Sequence, residues 1–156
     1  YIDTRSAFLE IKFRNNKGRT GKHRCPSPHG RFESARTRQF LHANLQALAR
    51  QLIPSQHNGF ERIALASDVL GERITIDQDI RFSSADRRLC MTLPEVCVAE
   101  LKQSRRNLNS PFARLMSQAG YRPTSFSKYC IGCALLSPTL KKNRFKPQLM
   151  KLLALH

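Results

Sequence analysis

Alternation of apolar and charged residues is the feature that most limits what this chain can fold into. Successive side chains of a β-strand point to opposite faces, so alternation predicts strands that are apolar on one side and polar on the other. The pattern predicts strands over residues 7–14, 60–66, 72–80 and 96–102. In the third strand it predicts one face with Ile74, Ile76 and Ile80 and an opposite face with Arg73, Thr75, Asp77 and Asp79.

The polar faces of these strands carry charges of both signs. Glu10, Lys12 and Arg14 lie two residues apart, Glu100 and Lys102 repeat the spacing, and Arg62 lies in another strand. A solvated sheet face explains this pattern, and so does a β-barrel whose polar interior holds a highly charged ligand. In such an interior, basic residues would bind anionic oxygens, and the carboxylates would need a cation such as Mg²⁺ or Mn²⁺. The pattern alone leaves both interpretations open.

The overall charge points to a polyanionic partner. Lysine and arginine number 27 against 11 acidic residues, which gives a net charge of +16. Such an excess is typical of proteins that bind nucleic acid, an anionic membrane or phosphate chains. No apolar run approaches the roughly 20 residues of a membrane-spanning helix, and no secretory signal is visible. At 156 residues and 40% apolar content we expect one folded domain, residues 1–156.

The five cysteines indicate a reducing compartment. An odd number of cysteines without a signal peptide favours free thiols and a cytoplasmic location. Cys130 and Cys133 have CxxC spacing, but no second pair completes a zinc site. Small, buried thiols are the alternative interpretation of this pair.

Helices and loops are predicted for much of the remaining chain. Residues 33–53 form a helix in this interpretation because leucines and Phe40 recur at helical spacing. Further helices are predicted over 111–119 and 126–136. Residues 15–22 are predicted as a turn and 25–30 as a loop. The tail, 141–156, is basic and has no acidic residue.

Four segments together resemble a known family. These are FLEIKFRNNKGRTGKHR, ERITIDQDI, VAELK and RPTSFSKYCIGCALL. They are similar to the VTC domain, named for the vacuolar transporter chaperone polyphosphate polymerases, which belongs to the triphosphate tunnel metalloenzymes. The resemblance extends from about Ala7 to Phe145.

The resemblance implies a fold and a reaction. The fold is α+β, an antiparallel β tunnel with flanking helices. The reaction is a phosphotransfer that uses Mn²⁺ or Mg²⁺ and moves the ATP γ-phosphate onto a growing polyphosphate chain. Family members carry earlier strands that complete the tunnel. Because this chain starts at Tyr1, we expect those strands either in upstream sequence or from a partner.

The resemblance also implies roles for individual residues. Those that match the family's catalytic basic residues are Lys12, Arg62, Arg73 and Lys128. Those that match substrate-binding positions are Glu10, Arg14, Lys102 and Ser127. Glu100 matches the metal-binding glutamate. Ser125 stands where characterised polymerases have a lysine, so one basic contact is lost.

Two other functions remain open at this point. One is a non-catalytic domain that binds polyphosphate or another phosphorylated ligand. The other is an RNA-binding module that uses the basic stretches 12–24 and 141–151, although the strands lack the aromatic pairs that stack bases. On the family interpretation the ligand binds the strand face. Deletion of 147–156 is then expected to leave affinity largely intact.

Overall fold

The computed structural model describes residues 1–16, 20–27 and 34–153. The chain forms two compact units, Tyr1–Ile53 and Pro54–His156.

The first unit contains an antiparallel ribbon of two strands, β1 (Phe8–Arg14) and β2 (Thr20–Pro26). The prediction of β1 is confirmed. The predicted turn over 15–22 is wrong for residues 20–22, and the predicted loop over 25–30 is wrong for residues 25 and 26, because these residues belong to β2. This strand has only one buried side chain, Cys25, so it shows no apolar alternation. Pairing with β1 defines β2, and that pairing is not visible in its own residues.

Helix α1 (Ala35–Leu45) follows in the same unit and is shorter than predicted. Ser34 is its N-cap, with a side-chain oxygen that accepts a hydrogen bond from the Thr37 N–H. Gln46 has φ 51°, so the α-helix cannot continue through it. A 3₁₀ helix over Gln46–Gln51 takes up part of the remaining prediction. Residue 33, the predicted start, lies outside the described residues.

The second unit is built on a four-stranded antiparallel sheet. Its strands are β3 (Gln56–Ser67), β4 (Glu72–Ser84), β5 (Cys90–Leu93) and β6 (Val98–Gln103). One edge of β4 pairs with β3, and the other pairs with β6 and then β5. The α+β class with antiparallel strands is confirmed. The described strands do not close into a barrel, because β3, β5 and β6 each pair only with β4.

A bulge in β4 decides which side chains of this strand are buried. Gly59 pairs with Arg81 and Glu61 pairs with Gln78, so β4 has one residue more than β3 across this step. Asp79 takes up the extra length with φ 49°. Side chains beyond the bulge therefore change face. The buried face runs through Thr75, Asp77, Ile80 and Phe82, each at most 5% exposed.

The predicted face assignment of β4 is therefore wrong. Simple alternation places Ile80 beside Ile74 and Ile76, on the side away from Asp77. The bulge instead brings Ile80 to the side of Asp77, and Ile74 and Ile76 lie half-buried on the opposite side.

Helix α3 (Lys128–Leu136) packs on the buried face, and α4 (Lys146–Leu153) contributes Leu152 to the same core. The unit also contains α2 (Pro111–Gln118) and a 3₁₀ turn at Asn143–Phe145. A core of seven side chains includes residues of β4, β5, α3 and α4. Its members are Ile80, Phe82, Leu93, Val96, Ile131, Leu136 and Leu152.

The C-terminal helix α4 is absent from the sequence prediction, and it makes the tail part of the hydrophobic core. Leu152 is 7% exposed in the core, and Leu149 packs against it. Deletion of 147–156 would remove both side chains from the core, so it would test stability and not binding. Among the described helices, none has the length and apolar character that crossing a membrane requires.

Candidate functional site

The strand register gathers most of the predicted site residues onto one side of the β3–β6 sheet. Directly paired residues of neighbouring strands share a face. Arg62 pairs with Asp77, Arg73 pairs with Lys102, and Thr75 pairs with Glu100. Because residues two apart on a strand share a face, all of these side chains leave the same side of the sheet. Lys128, the first residue of α3, reaches the same side through its contact with Asp77.

We call this surface the basic face. Its members are Arg62, Arg73, Asp77, Glu100, Lys102 and Lys128. Four cations and two carboxylates leave it with a net positive charge. The basic face continues directly into the core, because Ile80 and Phe82 follow Asp77 on the same side.

Asp77 is the centre of the most buried part of the basic face. Its side chain is 2% exposed. Arg62 donates to both carboxylate oxygens, from Nε to Oδ1 at 2.6 Å and from Nη2 to Oδ2 at 2.7 Å. Lys128 Nζ donates to Oδ2 as well. A buried carboxylate requires such partners, since an unpaired charge in this position would be very costly.

Two opposing effects determine the pKa of Asp77. Burial by itself raises the pKa, because it penalises the charged form. The hydrogen bonds and positive charges of Arg62 and Lys128 together have a larger effect than burial. They lower the pKa of Asp77 below its ordinary value of 3.8. Asp77 is therefore ionised at neutral pH.

An aromatic ring contacts both cations that bind Asp77. The Arg62 guanidinium carbon lies 5.0 Å from the centre of the Phe60 ring, and Lys128 Nζ lies 4.7 Å from it. Both distances are within the range of a cation–π interaction. Phe60 and Asp77 thus restrain the same pair of side chains.

The more exposed end of the basic face lies at Arg73 and Lys102. These two cations are opposite each other on β4 and β6. Lys102 Nζ also lies 3.4 Å from Glu100 Oε1, and both side chains of this ion pair are more than half exposed. A cleft beside them has a volume of about 390 Å³. Arg73 and Lys102 line it together with residues of the β3–β4 turn.

Glu100 can hold a metal ion only with help from a ligand. Among residues 1–16, 20–27 and 34–153, no three His, Cys, Asp or Glu residues are grouped closely enough to bind one. Mg²⁺ usually keeps water and takes one or two carboxylates together with substrate phosphates. A single accessible carboxylate fits that kind of binding. Thr75 lies opposite Glu100 in the strand register. Its side-chain hydroxyl is buried and has no hydrogen-bond partner among the described residues.

A second cluster of cations lies on the β1–β2 ribbon. Lys12 is opposite Lys22, and Glu10 is opposite Arg24. Glu10 binds Arg24 and Lys22, the latter at 3.3 Å. Burial raises the pKa of Glu10, but the hydrogen bonds from the two cations outweigh this and lower it overall. We call this surface the basic ribbon, and its members are Glu10, Lys12, Arg14, Lys22 and Arg24.

Three residues of these surfaces were not predicted as site residues. Lys22 and Arg24 lie on β2, which shows no apolar alternation, so no pattern in the sequence marks them as site residues. Asp77 was assigned to a charged strand face, and its burial depends on the bulge and on α3. Ser127, predicted to bind substrate, is the N-cap of α3 and accepts a hydrogen bond from the Cys130 N–H.

Fold and site together define a class of protein: α+β, with antiparallel strands and clustered cations on a sheet face. The chain belongs to the VTC domain family, because residues 1–137 match the sequence model of this family. This family is associated with polyphosphate polymerase. No curated protein and no solved structure matches the chain.

All five cysteines are free thiols, and Cys130 and Cys133 are half-buried in α3.

Proposed function

We propose that this protein binds triphosphate and polyphosphate on the basic face and transfers the γ-phosphate of ATP to a growing polyphosphate chain. The observation that carries the proposal is the opposition of like charges across paired strands of the basic face, Arg73 to Lys102. Like charges in this position destabilise a sheet. A bound polyanion removes that repulsion, and the VTC family membership supports polyphosphate as the polyanion.

The basic face has the groups that phosphoryl transfer requires. The reaction depends on positioning and charge neutralisation more than on covalent chemistry by the protein. Arg62 and Lys128 would hold oxygens of the transferred phosphoryl group. Arg73 and Lys102 would hold the neighbouring phosphates. A terminal oxygen of the polyphosphate chain attacks the γ-phosphorus, and ADP leaves.

Glu100 would hold Mn²⁺ or Mg²⁺ together with phosphate oxygens, and the ion would neutralise charge on the phosphates. The residues of this chain bind and orient the two substrates around that position. Lys12 and Arg14 lie in the other compact unit, and its basic ribbon would bind phosphate oxygens by the same kind of contact.

Binding can be tested with two double variants of equal charge. Arg73→Gln with Lys102→Gln removes two cations from the basic face. Lys141→Gln with Lys146→Gln removes two exposed cations from the tail. We expect the first variant to weaken binding of inorganic tripolyphosphate by about tenfold or more, since two charge-assisted contacts are lost. The tail variant should bind within about twofold of the unmodified protein. Equal losses in calorimetric titrations of both variants would exclude the basic face as the binding site.

Catalysis is tested by polyphosphate synthesis from ATP with Mn²⁺ or Mg²⁺. Exposed ion pairs such as Glu100–Lys102 contribute only about 0–1 kcal/mol to stability. Glu100→Gln should therefore leave the melting temperature nearly unchanged while turnover falls by about a hundredfold or more. Full metal-dependent turnover in this variant would refute the role of Glu100. Tight tripolyphosphate binding without synthesis in the unmodified protein would identify a non-catalytic binding domain.

A further inference from the structure

We infer that Asp77, together with Phe60, is a positioning residue that holds Arg62 and Lys128 ready for phosphate oxygens. The ligand in this inference rests on the proposed function, whereas the geometry does not. Asp77 does not touch the ligand in this arrangement. It acts through the two cations. It limits the positions that their side chains can take, and it adds nothing to the positive charge that attracts the ligand.

The contacts of Asp77 restrain each cation in a different way. Arg62 is held by two parallel hydrogen bonds, which fix the plane of the guanidinium. Lys128 is held by one hydrogen bond to Oδ2, the oxygen that also accepts from Arg62 Nη2. Both cationic groups also lie within about 5 Å of the centre of the Phe60 ring. One carboxylate and one ring thereby set the separation of two long side chains that come from different elements.

The position of Asp77 is itself fixed by the fold. The bulge at Asp79 brings Ile80 and Phe82 onto the same side as Asp77, and both are at most 1% exposed. Helix α3 packs over this part of the sheet, and its first residue is Lys128. Asp77 therefore cannot follow its cations if they move. Arg62 and Lys128 keep 33% and 18% of their side chains exposed, so they remain accessible to a ligand.

A negative charge beside an anion site repels the anion, so Asp77 can favour binding only by positioning the two cations. If Asp77 were only a neighbouring charge, its removal would strengthen binding of an anion, because the site would become more positive. If Asp77 positions the cations, its removal weakens binding, because two flexible side chains must then be ordered by the ligand. The two roles predict changes of opposite sign.

The experiment compares Asp77→Asn with Asp79→Asn in the full chain. Both variants raise the net charge by one. Asn tolerates the positive φ of residue 79, so the control keeps its backbone. Calorimetric titration with inorganic tripolyphosphate should show binding about tenfold weaker for Asp77→Asn. Binding to Asp79→Asn should be unchanged or slightly tighter. Unchanged or tighter binding in Asp77→Asn would overturn the inference.

A second readout needs no ligand. The Arg62 Nε–H signal should show a high heteronuclear NOE in the unmodified protein and a clearly lower one in Asp77→Asn. An equally rigid Arg62 in both proteins would also overturn the inference. Failure of the unmodified protein to bind tripolyphosphate would instead refute the proposed function, and the Arg62 measurement would still decide the role of Asp77.

Phe60→Leu covers the case in which Asp77→Asn does not fold. Phe60 is 39% exposed, so the fold tolerates its shortening, and the variant changes no charge. It should weaken tripolyphosphate binding by about threefold, since a cation–π contact to each of two cations is lost. Unchanged affinity together with an unchanged Arg62 NOE would contradict the positioning role.

Discussion

At the scale of the residue, one carboxylate connects the fold to the candidate site. Asp77 is buried beside the core and bound by Arg62 and Lys128, so its charge is stabilised only in the folded protein. The unfolded chain has no such partners, and its Asp77 has an ordinary pKa. A group whose pKa is lower in the folded state contributes stability above the unfolded pKa and loses it as the pH falls through the folded pKa.

This linkage gives a prediction for pH dependence. Asp77→Asn should lower the free energy of unfolding by of order 2 kcal/mol at neutral pH, because two buried cationic contacts lose their charged partner. The deficit should stay constant down to about pH 5 and shrink below about pH 4, where Asp77 of the unfolded chain takes up a proton before Asp77 of the folded protein does. Urea unfolding from about pH 3 to pH 7 measures both effects.

Asp79→Asn is the matched control for the pH experiment. Its free energy of unfolding should run parallel to that of the unmodified protein at every pH. If Asp77→Asn also ran parallel down to the lowest pH, the ion pairs of Asp77 would not stabilise the fold.

At the scale of the element, helix α3 lies so close to the sheet that one position in it has no room for a side chain. A Cβ on Gly132 would lie 2.5 Å from Gln56 Oε1 and 2.6 Å from Phe82 Cδ1. Gln56 can turn away, but the Phe82 ring is 1% exposed and cannot. The close approach also allows Gln56 Nε2 to donate to the Tyr129 carbonyl oxygen at 2.8 Å.

Gly132→Ala should therefore destabilise the protein, although alanine is the better helix former. Overpacking against Phe82 costs about 1–3 kcal/mol, more than the roughly 1 kcal/mol that alanine gains by helix propensity. A Cβ on Gly59 meets nothing within 4 Å, so Gly59→Ala is the control and should change stability little. Thermal unfolding of the two variants decides the point. A stabilised Gly132→Ala protein would show that α3 can move away from the sheet.

At the scale of the whole molecule, the net charge of +16 attracts any polyanion, so specificity must come from local arrangement. We expect single-stranded RNA to bind through general electrostatics. Its affinity should fall by a similar factor in the basic-face and tail double variants, since each loses two cations. Tripolyphosphate should discriminate between the two variants.

Competition titrations at about 50 and about 200 mM NaCl test this difference, because salt screens general electrostatic binding strongly. The RNA-binding interpretation would be favoured if RNA displaced tripolyphosphate efficiently at the higher salt and if its affinity fell more in the basic-face double variant than in the tail double variant.

The sequence by itself determined the strands that have one apolar side. Alternation identified β1, β3, β4 and β6, and their charged residues include Arg62, Arg73, Glu100 and Lys102, which the register brings onto one face. The period of two is a local property of the chain, so it can be recognised without knowledge of any partner strand.

Tertiary structure alone decided β2 and β5, the closeness of α3, and the role of Asp77. Strand β2 is polar along most of its length and exists through its pairing with β1. The bulge at Asp79 brought Ile80 and Phe82 to the side of Asp77, so a carboxylate is buried where alternation predicts a solvated side chain. Burial and pairing depend on residues far away in the chain. A local pattern therefore cannot show which side of a strand is covered, or which charge must find its partner there.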